Sequence, residues 1–175
     1  AMMVAVIWAP TAAEAAYNGT GTFKPVANTS EITSGGYYVF IGVDVNAMAT
    51  TRLATAATAA LDRQSVSTTG GQIVDPPSAI VWRIDTVSSG FSIYSEAAGF
   101  YIGAVSQASG NNGIQTIGTN TGAYYQWTFA GTSTFEVRNA GRTTRLLRYN
   151  TQSPRFATYT TGQNPIRLYK MEVVV

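Results

Sequence analysis

Val-Trp-Arg-Ile at residues 81–84, followed by Gly-Phe-Ser-Ile at 90–93, is the stretch that decides how this chain can fold. It returns about 45 residues later as Gln-Trp-Thr-Phe at 126–129, followed by Thr-Phe-Glu-Val at 134–137. A period in this range marks a fold that is built from copies of one supersecondary unit. Such a unit cannot bury its own apolar face, so the copies must share a core.

The repeat divides the chain into three units. Phe-Lys-Pro-Val at residues 23–26, followed by Gly-Gly-Tyr-Tyr-Val at 35–39, forms a looser first copy. An Ala/Thr-rich insertion at 46–60 comes next, for which we expect a loop or a short helix. The three units are expected to span residues 22–79, 80–123 and 124–170.

Short alternating runs, broken by Gly, Asn, Ser and Thr, indicate strands and turns throughout these units. We therefore predict an all-β fold, a β-trefoil, in which three units of about 45 residues and four strands each close into a capped barrel of hairpins. Closure also removes exposed sheet edges. A β-sandwich is the alternative, although it does not require the recurrence. Because side chains two apart on a strand share a face, the predicted core is Trp82, Ile84, Phe91, Ile93, Ile102, Trp127, Phe129, Phe135, Val137, Leu147, Phe156, Ile166 and Leu168.

The residue types that are missing exclude several kinds of chemistry. The 175 residues include no cysteine and no histidine, which excludes disulfides, thiolate catalysis, catalytic triads and zinc hydrolase sites. The nine acidic residues form no close pair in sequence of the kind that glycosidases use. We predict a protein that is not an enzyme and that uses no cofactor and no metal.

Charge and hydropathy narrow the choice of partners and location. Only 11% of the residues are charged and the formal net charge is +2, which does not indicate nucleic-acid binding. No apolar run reaches the roughly 18 to 20 residues that cross a bilayer, so no membrane span is expected. A surface rich in hydroxyls and poor in charge suits export, and we predict a secreted protein at the cell surface.

Residues 1–19 are predicted to be an extended apolar arm and tether ahead of a trefoil-like domain at 20–175. Burying the apolar side chains of the arm would contribute on the order of 6 to 12 kcal/mol before ordering costs. We predict that the arm adds as a strand to the next copy, which makes the chain a structural subunit of a filament or homo-polymer. Folding back on its own barrel is the alternative. The predicted assembly interface consists of Met2, Met3, Val4, Val6, Ile7 and Trp8.

Arginines and tyrosines in the third unit suggest a second function, that of a carbohydrate-binding or adhesion module. Guanidinium groups match the carboxylates and sulfates of acidic glycans, and tyrosine rings are common in sugar sites. A solvated outer face is the more ordinary role of such arginines. The candidate glycan-binding residues are Arg145, Arg148, Tyr124 and Tyr125. Two sequons, at Asn18 and Asn28, permit glycosylation.

The end of the third unit also resembles a known family. The run at residues 145–159, Arg-Leu-Leu-Arg-Tyr-Asn-Thr-Gln-Ser-Pro-Arg-Phe-Ala-Thr-Tyr, followed by Pro-Ile-Arg-Leu-Tyr-Lys at 165–170, resembles the carboxy-terminal trefoil-like module of many secreted and surface proteins of Bacteroidetes-type bacteria. The resemblance covers about residues 22–170. It implies export and a non-catalytic accessory role. The likeness to ricin-type trefoils is architectural only, because Gln126 and Trp127 are adjacent and do not form the Gln-x-Trp motif of that family.

Overall fold

The computed structural model describes residues 16–54, 59–106, 110–119 and 122–173. This part of the chain forms fourteen β-strands and three single-turn 3-10 helices. The helices are Thr29–Glu31, Ser78–Ile80 and Ala123–Tyr125. The strands are β1 (Thr22–Pro25), β2 (Gly36–Ile41), β3 (Asn46–Arg52), β4 (Leu61–Ser65), β5 (Ile73–Val74), β6 (Trp82–Val87), β7 (Gly90–Ser95), β8 (Phe100–Ala104), β9 (Ile114–Ile117), β10 (Trp127–Thr132), β11 (Thr134–Asn139), β12 (Leu146–Asn150), β13 (Arg155–Tyr159) and β14 (Arg167–Met171).

Six strands close into a barrel, in the order β2, β6, β7, β10, β11 and β14. One contact repeats three times around this ring. Tyr38 lies opposite Trp82, Phe91 opposite Trp127, and Phe135 opposite Ile166. The recurrence in sequence is therefore a pseudo-threefold symmetry in space.

Three hairpins, β3–β4, β8–β9 and β12–β13, form the cap at one end of the barrel. Two of them also pair directly, because Phe156 of β13 lies opposite Leu61 of β4. A closed six-stranded barrel with a cap of three hairpins is the predicted β-trefoil, and the all-β prediction is confirmed.

Trp82 and Trp127 are fully buried in the core. The indole N–H of Trp82 donates to the carbonyl of Met48 at 2.9 Å, and that of Trp127 donates to Ile102 at 3.0 Å. Met48 lies in β3 and Ile102 in β8, each the first strand of a hairpin that packs over the end of the barrel. Each indole therefore links a barrel strand to a hairpin. The predicted core residues are all buried except Phe91 and Phe129, which pack against the core while partly exposed.

The sequence indicated that residues 23–26 supply the first barrel strand of the first unit, but β14 takes that position. In the barrel the place of Trp82 and Trp127 is taken by Ile166, just before β14, whereas β1 lies outside and pairs with β14 and β5. Strand β1 ends on Pro25, which has no N–H to donate to a central ladder. The carboxy-terminal strand therefore completes the first unit.

The expectation of a loop or short helix at residues 46–60 is wrong for residues 46–52, which form β3. Ala47, Met48 and Ala49 are buried there. Met48 packs in the barrel core, and the two alanines pack against apolar residues outside it, so burial outweighs the weak strand preference of alanine. Strand β2 is buried on both faces. Its inward residues join the barrel core, and its outward residues join a second cluster that includes Phe23, Ile73 and Ile80.

Candidate functional site

A cavity of about 480 Å³ opens on the cap side of the fold. We call it the cap groove. Three separate parts of the chain form its walls: the facing ends of β3 and β4, the segment ahead of β9, and the β12–β13 hairpin. The described lining residues are Leu53, Ala54, Ala59, Ala60, Asn111, Asn112, Gly113, Asn150, Ser153, Arg155, Ala157 and Tyr159.

Asn150 organises the hairpin wall of the cap groove. Its side-chain Oδ1 accepts hydrogen bonds from the backbone N–H groups of Gln152 and Ser153, at 3.0 and 3.1 Å. This is an Asx turn, in which an asparagine replaces a backbone acceptor. The Nδ2 group of Asn150 donates to the hydroxyl of Tyr159 at 3.2 Å. The turn and the tyrosine are thus held in fixed positions at the edge of the cavity.

Arg145 lies behind the wall and not on the surface, contrary to its predicted role. Only 3% of the residue is exposed. Its Nη1 donates to Oδ1 of Asn112, and to the carbonyl of Thr158 at 3.1 Å. The backbone N–H of Thr158 donates to the carbonyl of Asn112 at 2.7 Å. Buried carbonyl groups need donors, so Arg145 is used to hold the segment at 111–113 against β13.

Arg148 is on another part of the molecule and is already paired. Its Nη1 donates to the carbonyl of Gly162 at 2.7 Å, and its Nη2 lies 3.3 Å from Oε1 of Glu136. Arg138 pairs with the same carboxylate at 3.2 Å. The structure therefore does not bring Arg145 and Arg148 together into one binding surface.

Tyr124 and Tyr125 belong to a 3-10 helix rather than to a strand, and neither lines the cap groove. Tyr124 is 37% exposed. The Tyr125 ring packs over Gly103, where an added Cβ would come within 2.6 Å of the ring. Burial raises the pKa of the Tyr125 hydroxyl, while nearby Arg52 lowers it.

Arg155 is the arginine that does reach the cap groove. Its Nε donates to the carbonyl of Ser153 at 3.3 Å, and it forms no ion pair with any described residue. In the sequence it is one of several arginines in the third unit, and the sequence does not distinguish it from the others. The Asn-Thr-Gln-Ser-Pro turn that precedes it is the signal that could have singled it out.

Both sequon asparagines are exposed. The Oδ1 of Asn18 accepts from the backbone N–H and the hydroxyl of Thr20, at 3.0 and 2.7 Å. The Oδ1 of Asn28 accepts from the backbone N–H of Ser30 at 3.1 Å and caps the 3-10 helix Thr29–Glu31. Glycosylation of either residue stays a prediction.

The predicted assembly interface, Met2 to Trp8, lies outside the described residues. Filament assembly through the arm therefore also stays a prediction. Among the described residues, no group of three or more acidic side chains could hold a metal ion. None of the helices described is long and apolar enough to span a membrane.

A second polar surface lies around Arg83, and its charges are already satisfied. The guanidinium contacts Asp85 at 2.7 Å and Glu96 at 2.8 Å, and it lies 4.9 Å from the centre of the Tyr94 ring. The hydroxyl of Tyr37 donates to Glu96 at 2.7 Å. Since every charged group here has a partner within the fold, this surface offers a ligand less than the cap groove does.

Comparison with known proteins supports the fold. No family model matches the sequence, and no similar curated protein is found. Among solved structures, the designed 3-fold symmetric protein ThreeFoil matches with 14% identity and a TM-score of 0.57, over 78% of this chain and 99% of the designed chain. The BEL β-trefoil matches with 12% identity and a TM-score of 0.62, over 84% and 100%.

A third similar structure is a lectin from Polyporus squamosus bound to a human-type influenza-binding epitope. It has 13% identity and a TM-score of 0.60, over 78% of this chain and 50% of the lectin chain. At these identities the likeness shows the fold alone. The chain is an all-β protein with the β-trefoil fold.

Proposed function

We propose that the chain is a carbohydrate-binding module and that the cap groove holds the glycan. The composition of the groove carries this proposal. Its polar lining consists of amide and hydroxyl groups, which exchange hydrogen bonds with sugar hydroxyls, together with a tyrosine ring and a guanidinium. The volume of about 480 Å³ lies within the range of small-molecule sites.

We also propose that the module is non-catalytic. Sugar hydrolysis needs two carboxyl groups that flank the glycosidic bond, and no aspartate or glutamate is among the described residues that line the groove. The lectin from Polyporus squamosus, which was solved with its epitope bound, supports a binding role for this fold. We also propose that the module is exported and has the accessory role that the family resemblance implies.

A blocking substitution tests the proposal. Ala54 is exposed and lines the groove, so Ala54→Trp should obstruct the cavity without disturbing the core. We expect the unmodified chain to bind at least one glycan on an array, and Ala54→Trp to weaken that binding roughly tenfold or more, which corresponds to about 1.4 kcal/mol.

Ala98→Trp is the matched control, because Ala98 is exposed in the β7–β8 turn and does not line the groove. It should bind as the unmodified chain does. The proposal is wrong if the unmodified chain binds no glycan, or if Ala54→Trp binds as tightly as Ala98→Trp.

A further inference from the structure

The cap groove carries a positive charge that the described residues do not neutralise. Arg155 uses its Nε to donate to Ser153 and forms no ion pair with any described residue. The described carboxylates that form ion pairs with arginines do so with other arginines. Asp85 and Glu96 pair with Arg83, and Glu136 pairs with Arg138 and Arg148.

A second cation lies just behind the wall of the groove. Arg145 is buried and donates to the side chain of Asn112, which is itself a lining residue. Burial lowers the pKa of Arg145, and so does the nearby charge of Arg142. Arg155 lines the groove and Arg145 lies behind its wall, and the positive charge of each favours an anion in the groove.

We infer that the cap groove selects glycans that carry an anionic substituent, either a carboxylate or a sulfate ester, and that Arg155 binds this group. The inference rests on the proposed function and specifies the class of glycan. A guanidinium presents several N–H donors in one plane, which suits the paired oxygens of a carboxylate or a sulfate. The other polar residues of the lining contact the uncharged part of the sugar in this arrangement.

The test compares three soluble probes that share one oligosaccharide. The first ends in an uncharged galactose, the second carries an added sialic acid, and the third carries a sulfate ester on the galactose. Binding to the full chain is measured by titration calorimetry at about 0.15 M salt and again at 1 M salt. We expect at least one acidic probe to bind roughly tenfold or more tightly than the neutral probe, with the advantage reduced at high salt.

Three variants separate the role of Arg155 from general charge. Arg155→Gln should remove the advantage of the acidic probe over the neutral probe, so that the ratio of the two dissociation constants falls to about one. Arg155→Lys should retain part of the advantage, because the charge stays while the planar donor arrangement is lost. Arg63→Gln, at an exposed arginine outside the groove, should behave as the unmodified chain does. Thermal unfolding followed by circular dichroism checks that each variant is folded.

The outcomes distinguish this inference from the proposed function. A preference for the sialylated probe alone supports carboxylate recognition, and a preference for the sulfated probe alone supports sulfate recognition. Equal binding of neutral and acidic probes, or an advantage that survives in Arg155→Gln, overturns the inference while the proposed function stands. Failure of all three probes, together with failure on the array, overturns both.

Discussion

Tyr37 shows how one side chain links the barrel to its surface. Its ring is buried in the second cluster, and its hydroxyl donates to Glu96 at 2.7 Å. Burial first, and then the hydrogen bond to Glu96, raise the pKa of Tyr37 to about 12. Burial and the charge of Asp75 raise the pKa of Tyr17 to about 12 as well. Both phenols are therefore held in the neutral form.

Because the pKa values of Tyr17 and Tyr37 are raised, we predict that the folded protein loses stability at alkaline pH. The pKa of each phenol is higher in the folded state than in the unfolded state. Its contribution to the free energy of unfolding is therefore complete below pH 10, the ordinary tyrosine value, and is lost as the pH rises toward 12. The urea midpoint should therefore fall between pH 10 and pH 12, and less steeply in Tyr37→Phe than in the unmodified chain.

Tyr124→Phe is the control for that experiment, because Tyr124 is exposed. It should keep the pH dependence of the unmodified chain. If Tyr37→Phe showed the same decline as Tyr124→Phe, the buried hydroxyl would have no part in the alkaline transition.

Strand β14 is the element on which closure of the barrel depends. It pairs with β2 over four residues, and Ile166 ahead of it pairs with Phe135 of β11. Ile166 fills the core position that tryptophan holds in the other two units. The strand comes from the far end of the sequence, so the first unit is complete only when the two ends of the described chain meet.

Shortening Ile166 should destabilise the whole barrel. Ile166 is fully buried, and Ile166→Ala should cost about 2–5 kcal/mol in the free energy of unfolding, because it leaves a cavity in the shared core. Val173 is 58% exposed, and Val173→Ala should change stability by no more than about 0.5 kcal/mol. Urea unfolding measures both. A cost for Ile166→Ala close to that of Val173→Ala would show that β14 does not carry the closure.

At the scale of the molecule, the described body completes its own core. The barrel closes through β14, and the outer face of β2 is covered by the second cluster, in which Phe23, Ile73 and Ile80 are buried. All of these contacts are between described residues. We therefore predict that the body folds without the arm.

Deleting residues 1–10 should leave a folded protein with an unchanged melting temperature. If the arm joins copies as predicted, the intact chain should elute as an assembly in size-exclusion chromatography with light scattering, and the truncated chain as a monomer. Trp8→Ser in the full chain should weaken assembly in the same direction. An intact chain that is monomeric at micromolar concentration, or a truncated chain that still assembles, contradicts the arm hypothesis.

The sequence determined the fold and most of the core. Trp82 and Trp127 recur at a fixed spacing, and apolar side chains alternate along the strands. Both patterns are local, and burial of the apolar residues is enough to turn them into repeated units around a shared core. The sequence predicted the trefoil, and it predicted the buried positions correctly except for Phe91 and Phe129, which are partly exposed. It could not show that Ile166, rather than a residue near β1, completes the first unit, because that choice depends on how strands pair across the whole chain.

Only the tertiary structure decided where a ligand could bind. The cap groove combines three distant parts of the chain, so no short motif marks it. Arg145 and Arg155 look alike in sequence, yet Arg145 is held behind the wall by Asn112, 33 positions away, while Arg155 lines the cavity. Whether a cation is exposed or buried depends on which partners folding brings to it, and that information is not local.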